Sequence, residues 1–86
     1  MSEEEKRTFY TRILNKKLAV LSLFEKALKE NNDSIVKLEP KIVNDDLKIV
    51  TVVYSDEQNR QFRKSACVVA DSPAAMMLDI LKQAVL

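Results

Sequence analysis

Residues 9–28 carry apolar side chains at the three-and-four spacing of an amphipathic helix. These positions are Phe9, Tyr10, Ile13, Leu14, Leu18, Val20, Leu21, Phe24, Ala27 and Leu28. Before them, Ser2 and Glu5 have the spacing of a capping box. After them, Asn31 and Asn32 fit a left-handed C-terminal cap in a chain that contains no glycine. The pattern therefore predicts a long helix over residues 2–31.

Three later segments are rich in β-branched and aromatic residues and predict strands. They read SIVKLEPKIV, LKIVTVVYS and RQFRKSACVVA, and the turn-forming runs NDD and DEQN separate them. Pro40 lacks an amide proton, which places the first strand at a sheet edge or a bulge. The second strand is apolar on both faces, with Leu47, Ile49 and Val53 on one and Val50, Val52 and Tyr54 on the other. It is therefore predicted to be the central strand of an antiparallel meander.

The closing segment SPAAMMLDILKQAVL, residues 72–86, predicts a short helix that Ser72 caps and Pro73 begins. The element order is then α-β-β-β-α. We expect a two-layer α+β fold in which the long N-terminal helix and the short C-terminal helix pack on a three-stranded antiparallel meander.

Both predicted helices carry more apolar surface than one sheet face can cover. A soluble monomer rarely exposes a large apolar patch, and a twofold homodimer is the commonest assembly that buries one. The sequence therefore predicts a homodimer. The expected interface residues are Leu14, Leu21, Leu28, Leu81 and Val85.

The composition limits the classes of function. With 86 residues, of which 47% are hydrophobic and 31% are charged, the chain is predicted to form a single domain over residues 1–86. The net charge of +1 does not favour binding to nucleic acid or anionic membranes by bulk charge. No signal peptide and no run of about 18 apolar residues is visible, which predicts a cytoplasmic protein without membrane contact.

Several residue types that catalysis and metal binding need are missing. The chain has no histidine, no glycine and one cysteine, Cys67. A zinc or copper site of nitrogen and sulfur ligands therefore cannot form within one chain, and neither can a glycine-rich phosphate loop. We expect a protein that is not an enzyme and holds no metal or cofactor. Because Cys67 lies in an apolar strand, it is predicted to be a buried, unreactive thiol.

Two pairs of carboxylates remain as candidates for magnesium binding or acid-base chemistry. They are Asp45 with Asp46 and Asp56 with Glu57. Both pairs fall in predicted turns, where Asp is favoured for backbone reasons, and we interpret them as turn residues.

The run NRQFRKS is the best candidate for a binding surface, because Arg60, Arg63 and Lys64 surround Phe62. The cations and the ring could hold phosphates and a base, or form an interface hot spot. The alternative, which we favour, is that Phe62 points inward and the cations form a solvated strand edge. Lys17 is a second candidate because it falls within the apolar arc of the first helix. Its stem is expected to carry the charge to solvent at an interface margin.

These patterns predict a small, non-catalytic, self-associating protein-binding module. Such a protein could be a regulator, an adaptor, an inhibitor or an assembly component, and the compact lysine-rich style would suit a phage or a mobile element. The alternative is a nucleic-acid-binding dimer that uses the cations of the third strand. Neither the partner nor the source of the protein is visible in the sequence.

Overall fold

The computed structural model describes residues 2–69 and 72–86 and has the predicted order of elements. They are α1 (Glu3–Asn31), β1 (Ile35–Val43), β2 (Asp46–Ser55), β3 (Gln61–Cys67) and α2 (Pro73–Ile80), which continues as a π-helical turn, Leu81–Val85. The strands form an antiparallel sheet in the order β1-β2-β3, and both helices pack on one of its faces. The predicted α+β fold is confirmed, with β2 central and the Pro40 strand at an edge.

The two ends of α1 use different side-chain bonds. At its start the predicted capping box is present: Glu5 N donates to Ser2 Oγ, and Ser2 N donates to Glu5 Oε2, both at 3.2 Å. The prediction of a left-handed cap at the other end is wrong, because Asn32 is extended with φ −147°. Its amide donates to Leu28 O, while its side-chain oxygen accepts from Ser34 N at 3.0 Å. These bonds lead the chain directly into β1.

Asparagine and aspartate adopt the positive φ angles that glycine usually supplies. The turn between β1 and β2 has φ 53° at Asn44 and φ 62° at Asp45, as a two-residue hairpin turn requires. Asn59 has φ 62° in the loop between β2 and β3. In that loop Asp56 Oδ1 accepts from the amides of Gln58 and Arg60. Both carboxylate pairs thus lie at turns, as the sequence predicts.

One core lies between the helices and the sheet. It contains Leu21, Leu28, Ile35, Leu38, Leu47, Val50, Val52, Tyr54, Ala66, Val68, Met76, Ile80 and Ala84. The predicted face of Leu47 is wrong. Lys41 pairs with Ile49 and Ile42 pairs with Leu47, so Lys48 is an extra residue on β2. This bulge shifts the alternation by one residue, and Leu47 joins the helix-covered side.

The helix α1 is longer than the strand beside it. Its 29 residues span about 44 Å at 1.5 Å each. The 9 residues of β1 span about 30 Å. Glu25 contacts Leu38 and Lys17 contacts Asp46, so α1 and β1 run side by side in opposite directions. Residues 3–13 therefore project beyond the sheet as an N-terminal arm, and the molecule measures 53 × 20 × 17 Å.

Candidate partner-binding surfaces

The N-terminal arm presents two aromatic rings to solvent. Phe9 is 50% exposed and Tyr10 is 57% exposed, and their ring centroids lie 5.7 Å apart in an edge-to-face contact. Helix periodicity includes both residues but does not show that they are uncovered. The predicted lengths could have shown this exposure. A helix of about thirty residues is longer than a strand of nine or ten residues, so part of the helix must extend beyond the sheet.

An open cleft of about 530 Å³ separates the arm from the β1–β2 turn. Its lining residues are Tyr10, Thr11, Leu14, Asn44, Asp45, Asp46 and Lys48. Ile42 and Val43 are also exposed, at the end of β1 immediately before this turn. We call Phe9, Tyr10, Ile42 and Val43 the apolar end of the molecule. Four large apolar side chains thus remain uncovered around a single turn.

Lys17 lies on α1 just after the arm, close to the β1–β2 turn. Its side chain is only 1% exposed, and Nζ donates to Asp46 Oδ1 at 3.3 Å. The expectation that its stem would carry the charge to solvent is wrong, because the ammonium is paired inside the fold. A buried charge is tolerated when a partner is close, and the Asp46 carboxylate provides that charge. The pair connects α1 to the first residue of β2.

Asp46 accepts from three donors. Lys48 Nζ lies 3.2 Å from Oδ2, while Lys17 Nζ and Leu47 N both bond to Oδ1. Partial burial raises the pKa of this carboxyl, but the bonds from Lys48, Lys17 and the Leu47 amide outweigh burial and lower the pKa below its ordinary value. Asp46 therefore remains ionised and holds the arm end of α1 on the sheet.

The predicted basic patch is divided between two faces. Phe62 and Lys64 alternate with Arg63 along β3, so the first two lie on the helix-covered side and Arg63 on the other. Phe62 stacks on Tyr54 with ring centroids 5.1 Å apart, yet it is 46% exposed. Arg60 lies in the preceding loop. The four residues therefore do not form one surface.

The three cations of this patch have neighbours within the chain. Arg60 Nε bonds to Asp56 at 2.9 Å, and Lys64 Nζ lies 5.5 Å from the centroid of the Tyr54 ring. Arg63 Nε donates to Glu39 Oε1 at 3.1 Å, which spans β2 on the open face of the sheet. These contacts leave less of each cation for a phosphate group.

Two of the five predicted dimer residues lie inside the core, and the other three lie at its periphery. Leu21 and Leu28 are buried in the chain's own core, which leaves them little surface for a second copy. The sheet covers them because β1 runs along the C-terminal two-thirds of α1. Leu14, Leu81 and Val85 pack against the core and are only partly buried. Of these three, Leu14 also lines the cleft at the arm.

Cys67 is exposed, which corrects its predicted burial. It pairs with Ile49 on the sheet face that no helix covers. Over residues 2–69 and 72–86, no group of three or more His, Cys, Asp or Glu side chains is arranged to hold a metal ion. Within the same ranges, no helix has the length and apolar character needed to cross a membrane.

Comparison with protein-family models, with curated proteins and with solved structures found no significant match. Function must therefore be argued from the surfaces themselves.

Proposed function

We propose that this chain is a small non-catalytic protein-binding module that associates through its apolar end, first of all with a second copy of itself. The observation that carries the proposal is the exposure of Phe9 and Tyr10 on an arm that projects beyond the sheet. Aromatic side chains are enriched at the centres of protein interfaces. A helical arm of this kind suits packing against another helix.

The arm has the pattern of an antiparallel helix pair. Phe9, Tyr10 and Ile13 lie on one side of α1 at 100° per residue. Glu5 and Lys16 are eleven positions apart in the sequence, so they flank that side at nearly the same angle. In a twofold pair centred between Tyr10 and Thr11, Glu5 of one copy comes opposite Lys16 of the other. Apolar contact and complementary charge therefore favour the same arrangement.

Variants that introduce a charge on α1 test self-association. Light scattering at micromolar concentration should give twice the chain mass of 9.8 kDa. Tyr10→Glu places a charge in the apolar centre and should give a monomer with unchanged helix content. Leu23→Glu is the matched control, because Leu23 is an exposed apolar residue of α1 outside the arm, and it should remain dimeric.

Two results would overturn the proposal of a second copy. One is a wild-type chain of 9.8 kDa at these concentrations. The other is dissociation of the dimer by Leu23→Glu but not by Tyr10→Glu, which would place the interface elsewhere on the molecule. Lys16→Glu should weaken the dimer relative to the wild type, because it opposes Glu5 with a like charge.

The nucleic-acid alternative receives less support from the geometry. Its cations lie on two faces of β3 and in a loop, and each has a neighbour within the chain. Phosphate contacts dominate nucleic-acid affinity, and they need cations on a common surface. The apolar end places four exposed apolar side chains at the same end of the molecule, and the proposal therefore uses it.

A further inference from the structure

The two outer edges of the sheet are protected to different extents. On β1, Leu38 N points outward and donates to Glu25 Oε2 at 3.0 Å. Pro40 lies two residues further on with no amide proton, and no bulge intervenes, so the next outward donor is missing. An added strand would find few donors along this edge.

The edge of β3 is covered only at its C-terminal end. Cys67 N donates to Gln83 Oε1 at 2.8 Å, and Gln83 Nε2 donates to Cys67 O at 2.9 Å. The side-chain amide of Gln83 thus makes the two hydrogen bonds that a neighbouring strand would make with Cys67. Further along, Val69 N lies 3.5 Å from Asp79 Oδ2. The C-terminal helical segment therefore caps the edge from Cys67 onward.

The rest of this edge is open. Because Cys67 directs both backbone groups outward, every second residue before it does the same, namely Ser65, Arg63 and Gln61. The register with β2 runs without a bulge through this stretch, so the alternation holds. Within the ranges that the structure describes, no hydrogen bond reaches these outward groups. Three consecutive donor and acceptor pairs are available to an added strand.

The side chains along the open edge favour an added strand that carries negative charge. β3 reads QFRKSAC, with two cations and no carboxylate. Arg63 lies on the open face, where its Nε bonds to Glu39 and its two Nη groups keep their donors for an added strand. The exposed Phe62 ring lies on the helix-covered face beside Lys64. An adjacent strand would place alternate residues beside Arg63 and beside Phe62. Acidic residues on one face and apolar residues on the other would match these neighbours.

A second copy of β3 is a poor occupant for this edge. If the antiparallel pair uses Gln61, Arg63 and Ser65, its twofold axis passes through Arg63 and sets Arg63 against its own copy. Moving the axis by one residue toward the C-terminus sets Lys64 against Lys64. Moving it by one residue toward the N-terminus leaves Ser65 unpaired and sets Arg60 against Lys64. Like charges directly opposite each other destabilise a strand pair. An axis at Ser65 would require Cys67 to give up its bonds to Gln83.

We propose that the outer edge of β3, at Gln61, Arg63 and Ser65, binds an acidic extended segment of another protein by β-strand addition. Backbone hydrogen bonds would supply the docking, while Arg63, Lys64 and Phe62 would supply the preference for acidic and apolar side chains. The site lies on a different strand from the apolar end, so it does not depend on self-association.

The test uses a synthetic peptide of alternating Glu and Val with the seven-residue length of β3, and its Lys and Val counterpart. Two-dimensional NMR of the wild-type chain should show hydrogen-exchange protection at the amides of residues 61, 63 and 65 with the acidic peptide only. Arg63→Glu should weaken acidic-peptide binding by about tenfold or more. Lys26→Glu is its control, because Lys26 is exposed on α1, and it should leave binding unchanged.

A backbone variant separates strand addition from simple charge attraction. Ser65→Pro removes one outward amide proton and should abolish binding, whereas Ser65→Ala keeps that proton and should bind normally. Equal binding of both peptides, equal binding by both Ser65 variants, or no acidic-peptide binding at millimolar concentration would each overturn the proposal. The titration is repeated with Tyr10→Glu. This variant changes the apolar end but not the edge of β3, so a failure of this proposal can be told apart from a failure of the dimer.

Discussion

The Lys17–Asp46 pair shows how one side chain can have a role that its neighbours in the sequence do not reveal. Lys17 lies among apolar residues of α1, and its ammonium meets a carboxylate at the far end of the first hairpin. Such a pair adds little net stability, but removing one partner leaves the other charge buried. The pair joins α1 to the first residue of β2.

Asp46→Asn should reduce the free energy of unfolding by about 1 to 2 kcal/mol at neutral pH, since hydrogen bonds to charged groups are lost and solvent screens part of the effect. The Asp46 carboxylate is 34% exposed, which is why the loss stays moderate. Its folded-state pKa is lowered, so this contribution is complete above the unfolded pKa of about 4 and disappears as the pH falls through the folded value. Urea denaturation from pH 7 to pH 3 should show the wild type and the variant converging in acid.

The control for this prediction is Lys17→Met, which replaces the charge with an apolar side chain of similar length. In that background Asp46→Asn should cost clearly less, because the bond between Lys17 and Asp46 is already absent. An equal cost in both backgrounds, or a cost independent of pH, would contradict the assignment of Asp46 as the charge partner of Lys17.

At the scale of the elements, the turns show how a chain without glycine closes its hairpins. Asn44, Asp45 and Asn59 all have positive φ angles. Asparagine and aspartate tolerate this left-handed region better than other residues with a Cβ, because their short polar side chains bond locally. The sequence runs NDD and DEQN mark these turns correctly for that reason.

Asn59→Ala should lower the free energy of unfolding by about 1 kcal/mol, since alanine pays the full cost of the left-handed conformation. Asn59→Gly should be close to neutral, because glycine reaches this region without a Cβ penalty. Thermal denaturation of both variants measures the difference. If alanine and glycine were equally tolerated, the loop would not require a positive φ at this position.

Other element boundaries follow from local chemistry as well. The helix predicted over residues 2–31 is observed at Glu3–Asn31, since its cap and its stop lie within a few residues of each end. The face of Leu47 was predicted wrongly, because a bulge depends on how two strands pair. Alternation along one strand does not show where that strand carries an extra residue relative to its partner.

On the scale of the whole molecule, the charges are balanced and several of them are paired locally. The net charge is +1, and Arg60, Arg63 and Lys48 each pair with a carboxylate in the same chain. A field that attracts polyanions needs unpaired charges of one sign on one surface. The cations around Phe62 do not form such a surface, because they lie on two faces of β3 and in a loop.

We therefore expect no specific binding of duplex DNA or single-stranded RNA at low salt, because phosphate contacts would have to displace existing ion pairs. Fluorescence anisotropy with labelled oligonucleotides measures this. Tight binding that weakens steeply as salt is added would contradict the expectation. If Arg63→Glu then abolished that binding, the basic strand would be the nucleic-acid site.

The candidate sites differ in how far the sequence could predict them. The aromatic residues of the arm were visible as part of a periodic helix, but their exposure depends on where the sheet stops. The point where the open edge of β3 ends depends on Gln83, which is distant in sequence and hydrogen-bonds to Cys67. Neither property belongs to a local segment.

The sequence by itself determined the order of the elements, their approximate ends, the turn residues and the edge position of Pro40. These features depend on periodicity, capping and backbone preferences that act between residues a few positions apart. The tertiary structure decided which apolar surface remains uncovered, where Lys17 finds Asp46, and which strand edge stays open. Those outcomes depend on relative lengths, strand register and helix placement, so they exist only once distant segments have packed together.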